Sequence, residues 1–354
     1  MSLQQLAIGV ILVLSLGAAT GPVTAQTATA DTHVVAADGS GEFRTIDAAL
    51  AAADDGDTVE VRPGVYRERV TVDDNVTLVA PHGAVLDGGQ FTDSAALSLG
   101  RDTAATIRGF TIRYYTVGVW ANGTTGDWTV TNTSVIGGTV GIEASNTAGD
   151  WTVASTTVAA TSDDALYAPR ASGAWTIADS RFDSPGGDGI DAARTTGEWR
   201  VRDVVVTRPA TDGIDATGST GDWRVTDARV SDAERGLKAI RADGDWRAMG
   251  VTVRDSPVGI TAPRATGAWT VTDADVRASG VAAFVGRTTG AWTIADSRLD
   301  GGVRGVYAFG TRGPWTIRNT VITTDDTSAA VGVDTREASG DWRTQNVSVR
   351  VATP

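Results

Sequence analysis

Cysteine is absent from the 354-residue chain, and lysine and histidine are almost absent, with one lysine and two histidines. The lack of cysteine excludes disulfide bonds and thiolate chemistry. Both histidines, His33 and His82, lie before the repeated part of the chain, so a histidine-based zinc site is not expected there. Beyond residue 19 no apolar run is long enough to cross a bilayer, so no membrane span is expected in the mature chain.

The net charge of -13 is carried by a narrow choice of residues, because 36 of the 43 acidic residues are aspartate and 29 of the 30 basic residues are arginine. Such acidity disfavours nucleic acid as a partner, since the phosphate backbone is itself negative. The aspartate-rich, lysine-poor composition resembles that of proteins from salt-loving archaea, in which salt screens the repulsion between carboxylates. Adaptation to salt is therefore one explanation for any aspartate in this chain.

The first residues predict export. An apolar run from Leu6 to Ala19 is followed by the small residues Val23-Thr24-Ala25, which is typical of a signal peptide and its cleavage site. No lysine or arginine precedes the apolar run, so an uncleaved membrane anchor is the alternative. We expect an extracellular or cell-surface protein.

The expected organisation has a signal peptide over 1–25, an N-terminal cap with the first coils over 26–104, and repeats over 105–354. The last two parts form one continuous domain, because no linker separates them. Four Asn-x-Ser/Thr sequons fit a glycosylated exported protein. They begin at Asn75, Asn122, Asn132 and Asn346.

Tryptophan recurs at intervals of 23 or 24 residues, lengthened once to 27 before the last one. The series is Trp128, Trp151, Trp175, Trp199, Trp223, Trp246, Trp269, Trp292, Trp315 and Trp342. A period of this size predicts a solenoid. Apolar residues follow each tryptophan at three regular positions, as Val201, Val206 and Ile214 follow Trp199, which indicates three short strands per coil. The pattern predicts an all-β parallel β-helix of about ten to twelve coils of 23–24 residues.

The segment before the repeats contains DGSGEFRTIDAAL from Asp38 to Leu50 and GDTVEVRPGVYRE from Gly56 to Glu68. These motifs resemble the entry to the pectin-lyase-like right-handed β-helix superfamily. The resemblance implies a right-handed parallel β-helix in which a short helix, here Thr45 to Ala53, caps the open end of the solenoid. That superfamily includes lyases, hydrolases, esterases, epimerases and proteins without known chemistry, so the fold alone does not specify an activity.

Two outward-facing columns of residues change character in the middle coils. One column reads Trp120, Glu143, Tyr167, Asp191, Asp215, Lys238, Thr261, Phe284 and Tyr307. The column three residues earlier reads Val117, Val140, Asp164, Asp188, Asp212, Arg235, Val258, Val281 and Arg304. Because stacked coils lie roughly 4.8 Å apart, the charged residues of these columns are expected to form one cluster that includes the only lysine. Repulsion between its carboxylates requires compensation, either by a cation such as Ca²⁺ or by Arg235 and Lys238.

The cluster resembles that of calcium-dependent β-helical pectate lyases, in which Asp-Gly-x-Asp runs bind Ca²⁺ and the lysine of an x-Gly-x-Lys run removes a proton next to a uronate carboxylate. The resemblance implies Lys238 as the base and Arg235 as a residue that holds or polarises the substrate. It implies that Ca²⁺ is the cofactor and that its ligands are Asp188, Asp191, Asp212 and Asp215. In that family the calcium run doubles its first aspartate, whereas here the doubled pair Asp163-Asp164 lacks the closing aspartate.

Other residues near these columns are candidates for contacts with an acidic polysaccharide, because arginine pairs well with carboxylates and aromatic rings stack on sugars. The candidate substrate-binding residues are Asp164, Tyr167, Arg194, Arg200, Arg224, Arg241 and Arg247. Ion pairs along the same strand, such as Glu198 with Arg200, are the alternative for the arginines that follow a tryptophan. Arg194 and Arg241 belong to an evenly spread set that also fits a solvated edge.

These observations predict an exported β-helix protein that acts on an acidic polysaccharide or cell-surface glycan, most specifically as a uronate lyase. Two alternatives stay open. One is a non-catalytic cell-surface or glycan-binding β-helix whose charge reflects adaptation to salt. The other is a polysaccharide hydrolase that uses paired aspartates such as Asp191 and Asp215. The sequence makes no prediction of oligomeric state.

Overall fold

The computed structural model describes residues 30–89, 93–324 and 332–351 of the chain. The described residues form a parallel β-solenoid of about 13 turns, slightly more than the ten to twelve predicted. The difference arises before Trp128, because the first coils carry no tryptophan and Ala105 takes its place in the register. The predicted signal peptide over 1–25 lies outside the described residues.

Each coil contributes to three sheets in turn, and every strand pairs in parallel with the equivalent strand of the next coil. The tryptophan sheet contains β1 (Thr32–Val35), β2 (Thr58–Val61), the first part of β5 (Thr77–Asp87), the first part of β7 (Ala105–Arg113), β9 (Trp128–Thr131), β12 (Trp151–Ala154), β15 (Trp175–Ala178), β18 (Trp199–Arg202), β21 (Trp223–Thr226), β24 (Trp246–Met249), β26 (Trp269–Thr272), β28 (Trp292–Ala295), and the first parts of β31 (Trp315–Thr324) and β33 (Trp342–Val351).

The second sheet follows after a short turn. It contains β3 (Val65–Tyr66), β10 (Ser134–Ile136), β13 (Thr157–Ala159), β16 (Arg181–Asp183), β19 (Val205–Thr207), β22 (Arg229–Ser231), β29 (Arg298–Gly301), the second parts of β5, β7, β31 and β33, and the first parts of β25 (Thr252–Thr261) and β27 (Asp275–Phe284).

The third sheet, called the charged sheet below, holds the two columns that change character in the middle coils. It contains β4 (Val70–Val72), β6 (Ala95–Leu99), β8 (Val117–Trp120), β11 (Val140–Glu143), β14 (Leu166–Tyr167), β17 (Ile190–Asp191), β20 (Asp212–Asp215), β23 (Arg235–Lys238), the second parts of β25 and β27, β30 (Arg304–Tyr307) and β32 (Val333–Asp334).

The tryptophans form a continuous stack in the core. Rings of successive coils lie 4.6 Å apart for Trp223 and Trp246 and 5.1 Å apart for Trp315 and Trp342, and they are nearly parallel. All but the last are almost fully buried, whereas Trp342 is 48% exposed. The column therefore serves the fold, because large buried aromatic surfaces dominate core energetics.

A glycine lies two residues before each tryptophan, and the packing of the coils explains it. A Cβ atom added at Gly197 would lie 2.2 Å from the Gly173 carbonyl oxygen of the preceding coil. Only a residue without a side chain allows the backbones of neighbouring coils to approach this closely. The same contact recurs along the column, for instance between Gly221 and Gly197.

One α-helix, α1 (Ile46–Leu50), is present in the described chain. The Thr45 hydroxyl accepts a hydrogen bond from the Ala48 amide, and the Glu68 carboxylate accepts one from the Ile46 amide at 2.9 Å. The helix has five residues, so the predicted helix over 45–53 is not confirmed at that length. No helix of the described residues is long and apolar enough to cross a membrane.

Candidate functional site

The strands of three consecutive coils bring the predicted charged residues together on the charged sheet. Asp191 of β17 pairs in register with Asp215 of β20, and Asp215 pairs with Lys238 of β23. Asp212 pairs in the same way with Arg235. The columns inferred from the sequence are therefore confirmed as neighbouring strand positions.

The glycine inside each charged motif is required by the packing of the coil and has no role of its own in the site. A Cβ atom at Gly189 would lie 2.4 Å from a methyl carbon of Val206 on the second sheet. Glycine occupies the same position in coils without charge, such as Gly118 and Gly259. The informative part of the Asp-Gly-Ile-Asp motif is therefore its two flanking carboxylates.

Arg235 and Lys238 form ion pairs with the two most buried aspartates of the cluster. The Arg235 Nε lies 2.6 Å from Asp212 Oδ1, and the Lys238 Nζ lies 2.9 Å from Asp212 Oδ2 and 2.7 Å from Asp215 Oδ2. Asp212 is 1% exposed and Asp215 is 6% exposed. Protein side chains thus provide the compensation that these buried carboxylates require. Glu234, which no pattern in the sequence singles out, also pairs with Arg235, at 3.1 Å.

Three further aspartates of the cluster, Asp164, Asp188 and Asp191, have no ion-pair partner among the described residues. Asp164 Oδ1 accepts a hydrogen bond from the Asp188 amide at 2.6 Å, and Asp188 Oδ1 accepts one from the Asp212 amide at 2.8 Å. Asp191 Oδ1 accepts one from the Ala193 amide at 2.8 Å. These backbone bonds fix the orientation of the carboxyl groups without neutralising them.

The environment of these three carboxyl groups favours their protonated form. Burial, reinforced by neighbouring carboxylates, raises the pKa of Asp164 to about 8, that of Asp188 to about 7 and that of Asp191 to about 6. Around neutral pH the cluster therefore contains carboxyl groups that hold protons, those of Asp164 and Asp188, beside the ion-paired Asp212 and Asp215. The Thr211 hydroxyl also donates to Asp188, a contact with no signal in the sequence because other coils carry threonine at this position.

Lys238 is held in its charged form. Burial lowers the pKa of Lys238, but its hydrogen bonds with Asp215 and Asp212 and their negative charges outweigh burial and raise that pKa to about 12. Lys238 therefore retains its proton in this arrangement, because its nearest charged neighbours are two carboxylates.

A divalent cation fits part of the predicted ligand set. Asp188, Asp212 and Asp215 each offer a carboxylate oxygen, and these oxygens lie within 4.8 Å of one another. Carboxylate oxygens are the ligands that Ca²⁺ prefers, and the distance suits a common ion. Asp191, the fourth predicted ligand, does not belong to this group. Arg235 contacts Oδ1 of Asp212 and Lys238 contacts Oδ2. A cation bound to Asp212 would therefore compete with both side chains.

Aromatic residues flank the cluster along the charged sheet. Tyr167 pairs in register with Asp191 on one side, and Trp120, which is 41% exposed, lies two coils before Tyr167. On the other side Phe284 and Tyr307 stack with ring centroids 5.1 Å apart. Exposed aromatic faces of this kind can pack against sugar rings.

The predicted substrate-binding residues do not form one surface. Asp164 and Tyr167 belong to the charged sheet, whereas Arg200, Arg224 and Arg247 lie in register on the outer face of the tryptophan sheet. They line a groove of about 670 Å³. The alternative of ion pairs along the strand holds for Arg200, whose guanidinium lies 3.4 Å from Glu198. Among the described residues no such pair forms for Arg224 or Arg247.

Arg194 and Arg241, the two remaining predicted residues, occupy the turn that follows the charged sheet. Both are exposed and adopt the left-handed backbone conformation, with φ of 59° and 56°. Arg194 lowers the pKa of Asp191 through its charge, although burial of Asp191 has the larger, opposite effect. These arginines therefore border the cluster, unlike the arginines of the tryptophan sheet.

No family model and no curated protein sequence matches the chain. The fold is similar to those of several solved enzymes. The catalytic unit of a thermostable GH87 α-1,3-glucanase from Streptomyces thermodiastaticus strain HF3-3 superposes with a TM-score of 0.62 at 17% identity, over 85% of this chain and 65% of the glucanase unit. This chain thus spans slightly less than two thirds of that unit.

Two further structures show the same likeness. The catalytic domain of Agl-KA gives a TM-score of 0.61 at 13% identity, over 92% of this chain and 69% of that domain. The periplasmic alginate epimerase AlgG gives 0.54 at 10% identity, over 83% of this chain and 77% of the epimerase. Identities this low establish the fold alone. The chain therefore has the pectin-lyase-like parallel β-helix that its first coils resemble in sequence.

Proposed function

We propose that the protein acts on an acidic polysaccharide at the cluster of the charged sheet, most specifically by β-elimination from a uronate chain. The observation that carries the proposal is the contact of the only lysine with two buried aspartates of the neighbouring strand, in columns that are mostly apolar or aromatic elsewhere. The likeness in fold to a glucanase and an alginate epimerase supports a polysaccharide as the substrate.

β-Elimination requires a base that removes the proton on the carbon next to the uronate carboxylate, as the bond from the neighbouring carbon to the glycosidic oxygen breaks. The electron pair of the C–H bond forms the new double bond, and the departing oxygen takes up a proton. Lys238 is the base in this proposal, and Arg235, which is partly exposed, contacts the substrate carboxylate. Asp191, whose pKa is raised to about 6 and which lies outside the group of possible metal ligands, can supply a proton to the departing oxygen.

Before Lys238 can act as a base, its proton must leave, and Asp212 and Asp215 oppose that loss. Ca²⁺ held by Asp188, Asp212 and Asp215 would supply positive charge against the uronate carboxylate and would compete with Lys238 for its partners. With those partners engaged elsewhere, burial of Lys238 favours its neutral form. The proposed activity therefore depends on a divalent cation.

The test uses purified protein in high salt with a panel of uronate polysaccharides, with and without Ca²⁺. The unsaturated product of elimination absorbs in the ultraviolet, so absorbance follows the reaction directly. We expect absorbance to rise only with Ca²⁺, and Lys238→Ala to reduce the rate by at least 100-fold. Lys238→Arg is the matched control, because it keeps the charge against Asp212 and Asp215 but is too weak an acid to lose its proton. Equal rates in Lys238→Arg and the wild type would rule out Lys238 as the base.

Hydrolysis is the second candidate, and the raised pKa of Asp191 beside an ion-paired aspartate favours it. Burial raises the pKa of Asp191 to about 6, and Asp215, in register on the neighbouring strand, is paired with Lys238. Neighbouring strands are spaced by roughly 4.8 Å, so a carboxylic acid and a second carboxyl group in these positions suit retaining glycoside hydrolysis. New reducing ends without ultraviolet absorbance would identify this reaction. Neither product, from any polymer tested, would favour the non-catalytic glycan-binding alternative.

Export, residence in high salt and glycosylation complete the proposal. The apolar segment over 6–19 supports export, and the excess of aspartate over glutamate and lysine supports a salty environment. Of the sequon asparagines, Asn75 and Asn122 have side chains that already bond to the Ala104 amide and the Ser145 hydroxyl. Glycosylation replaces a hydrogen on the amide nitrogen, so it would compete with the bond that Asn122 donates, whereas the Asn75 oxygen could still accept its bond.

A further inference from the structure

Arginine recurs in the turn that leads from the charged sheet to the tryptophan sheet, three residues after the column that contains Lys238. Its members are all exposed: Arg170, Arg194, Arg241, Arg264 and Arg287. The backbone N–H of each bonds to the next coil, as the Arg194 amide does to the Thr217 carbonyl at 2.8 Å. The backbone of the turn is therefore fixed, and the column runs parallel to the charged sheet.

The backbone conformation of this turn does not favour arginine. The five residues have φ between 56° and 61°, in the left-handed region that suits glycine and asparagine. Other coils place Asn146 and Gly218 at the same position. The turn after the tryptophan sheet has the same requirement and is filled with aspartate and asparagine, as at Asp179, Asp203 and Asn319. Backbone preference therefore does not explain the arginines in the turn after the charged sheet.

Ion pairing within the protein does not supply that reason. In the part of the chain that the structure describes, none of the five arginines forms an ion pair, although the net charge of -13 makes acidic partners plentiful. Arg287 lies over the Phe309 ring at 5.8 Å, which is a weak contact at an exposed site. Five exposed cations in one column thus keep their hydrogen-bonding capacity for a ligand.

The column is interrupted in the coil that carries Asp212 and Asp215. There Gly218 replaces arginine, and a Cβ atom added to it would have only the Arg194 Cγ within 4 Å, at 3.6 Å. Two arginines lie on one side of the gap and three on the other. The turn is therefore open beside the most buried carboxylates of the cluster and basic on either side.

We propose that Arg170, Arg194, Arg241, Arg264 and Arg287 form a rim that binds a linear polyanion lying along the solenoid axis, with the gap at Gly218 giving it access to the cluster. Coils stack at roughly 4.8 Å, so an extended chain with carboxylates at regular intervals meets several guanidinium groups, each of which can bind a carboxylate through two N–H groups. The inference rests on the proposed function for its choice of a uronate polymer, and it locates the binding of that polymer outside the cluster.

The experiment measures equilibrium binding of size-defined uronate oligomers by calorimetry at several salt concentrations, in the Lys238→Ala background so that no oligomer is cleaved. The test variant is Arg241→Asn with Arg264→Asn and Arg287→Asn, since Asn146 shows that asparagine fits this turn. We expect at least tenfold weaker binding of long oligomers, little change for the shortest, and an unchanged or higher melting temperature.

A matched control removes the same charge from the second sheet: Arg229→Thr, Arg277→Ser and Arg298→Thr. These residues are exposed and lie outside both the rim and the cluster, so binding should fall less than twofold. The rim is overturned if its variant binds like the control, if the wild type binds no uronate oligomer, or if Arg224→Thr with Arg247→Thr loses binding instead. Rim-dependent binding without any ultraviolet-absorbing product would retain the rim and refute the lyase. Formation of the product together with unchanged binding in the rim variant would support the lyase and refute the rim.

Discussion

The tryptophan sheet and the charged sheet follow the same stacking rule but use it differently. On the tryptophan sheet the same indole ring repeats in coil after coil, with neighbouring rings nearly parallel. On the charged sheet the equivalent positions change from valine and aromatic residues to aspartate, then to arginine and lysine, within a few coils. A residue type that repeats in every coil indicates a requirement of the stacking. A residue type confined to a few coils indicates a requirement of that region alone, such as a functional site.

The largest effect is expected from breaking the uniform column in its middle. Trp199 is 1% exposed, is stacked on both sides and donates a hydrogen bond to Thr195, so Trp199→Ala should lower the free energy of unfolding by about 3–5 kcal/mol. Trp342→Ala, in the last coil, should cost only about 1 kcal/mol because that ring has one stacking neighbour and is half exposed. Denaturant unfolding of both variants tests this, and equal losses would contradict the view that stacking on both faces stabilises the column.

The next effect comes from the charged column. Asp212→Ala leaves Arg235 and Lys238 short of their buried partner and should lower the free energy of unfolding by about 3 kcal/mol. The double variant Asp212→Val with Arg235→Val restores the apolar column, since Val140 and Val258 hold the same position in other coils. It should recover most of the lost stability, because an apolar pair often replaces a buried ion pair without cost. It should also abolish activity, and retained activity in that variant would show that the charged column is not the site.

A smaller effect is expected from pH. The pKa values of Asp164, Asp188 and Asp191 are raised to about 8, 7 and 6, so the folded protein binds protons at these sites that the unfolded chain releases near its ordinary pKa of about 4. Their stabilising contribution is complete below that value and is lost as pH rises through the folded pKa values. Stability should fall by on the order of 1 kcal/mol per pH unit between about pH 6 and pH 8.

The matched variant for this pH dependence is Asp164→Val, chosen because Val140 holds the equivalent position in the neighbouring coil. It removes the group with the highest pKa, so the slope should flatten between about pH 7 and pH 8 and become shallower, but not vanish, near pH 6. Thermal melts across the pH range give both slopes. A slope that is unchanged in the variant would mean that Asp164 does not carry the effect.

The period of the tryptophans was sufficient to predict the fold, because a parallel solenoid places equivalent residues of successive coils side by side. The same logic correctly joined Asp191 to Asp215 and Asp215 to Lys238. What the sequence did not reveal depends on side-chain direction within one coil. Lys238 turns toward two carboxylates and holds its proton more tightly, and Asp191 lies outside the group of three carboxylates that could share a metal ion.

The arginines illustrate a second limit. Arg200 and Arg194 are six residues apart in the sequence, yet one belongs to the outer face of the tryptophan sheet and the other to the turn beside the cluster. The sequence analysis predicted both as substrate-binding residues. Periodicity shows which residues of successive coils are neighbours, but it does not show in which direction each side of a coil faces. Only the structure shows that Arg194 lies in a turn with a left-handed backbone, which does not favour arginine. Arg200 lies on a strand, where its pairing with Glu198 explains it.

The last described coil, that of Trp342, packs against a neighbouring coil on one face only. Stability in a solenoid is nearly a sum of contacts between adjacent coils, and in the described chain β33 has a neighbour on one side only, with Val349 49% exposed. Opening of this coil breaks the contacts with one neighbour instead of two, so it costs less than opening a central coil. Four strands of the tryptophan sheet, β24, β26, β28 and β31, separate β33 from the coil of Lys238. The central position of the cluster protects it from thermal opening at the C-terminal end, so partial unfolding of the last coil should leave the cluster intact.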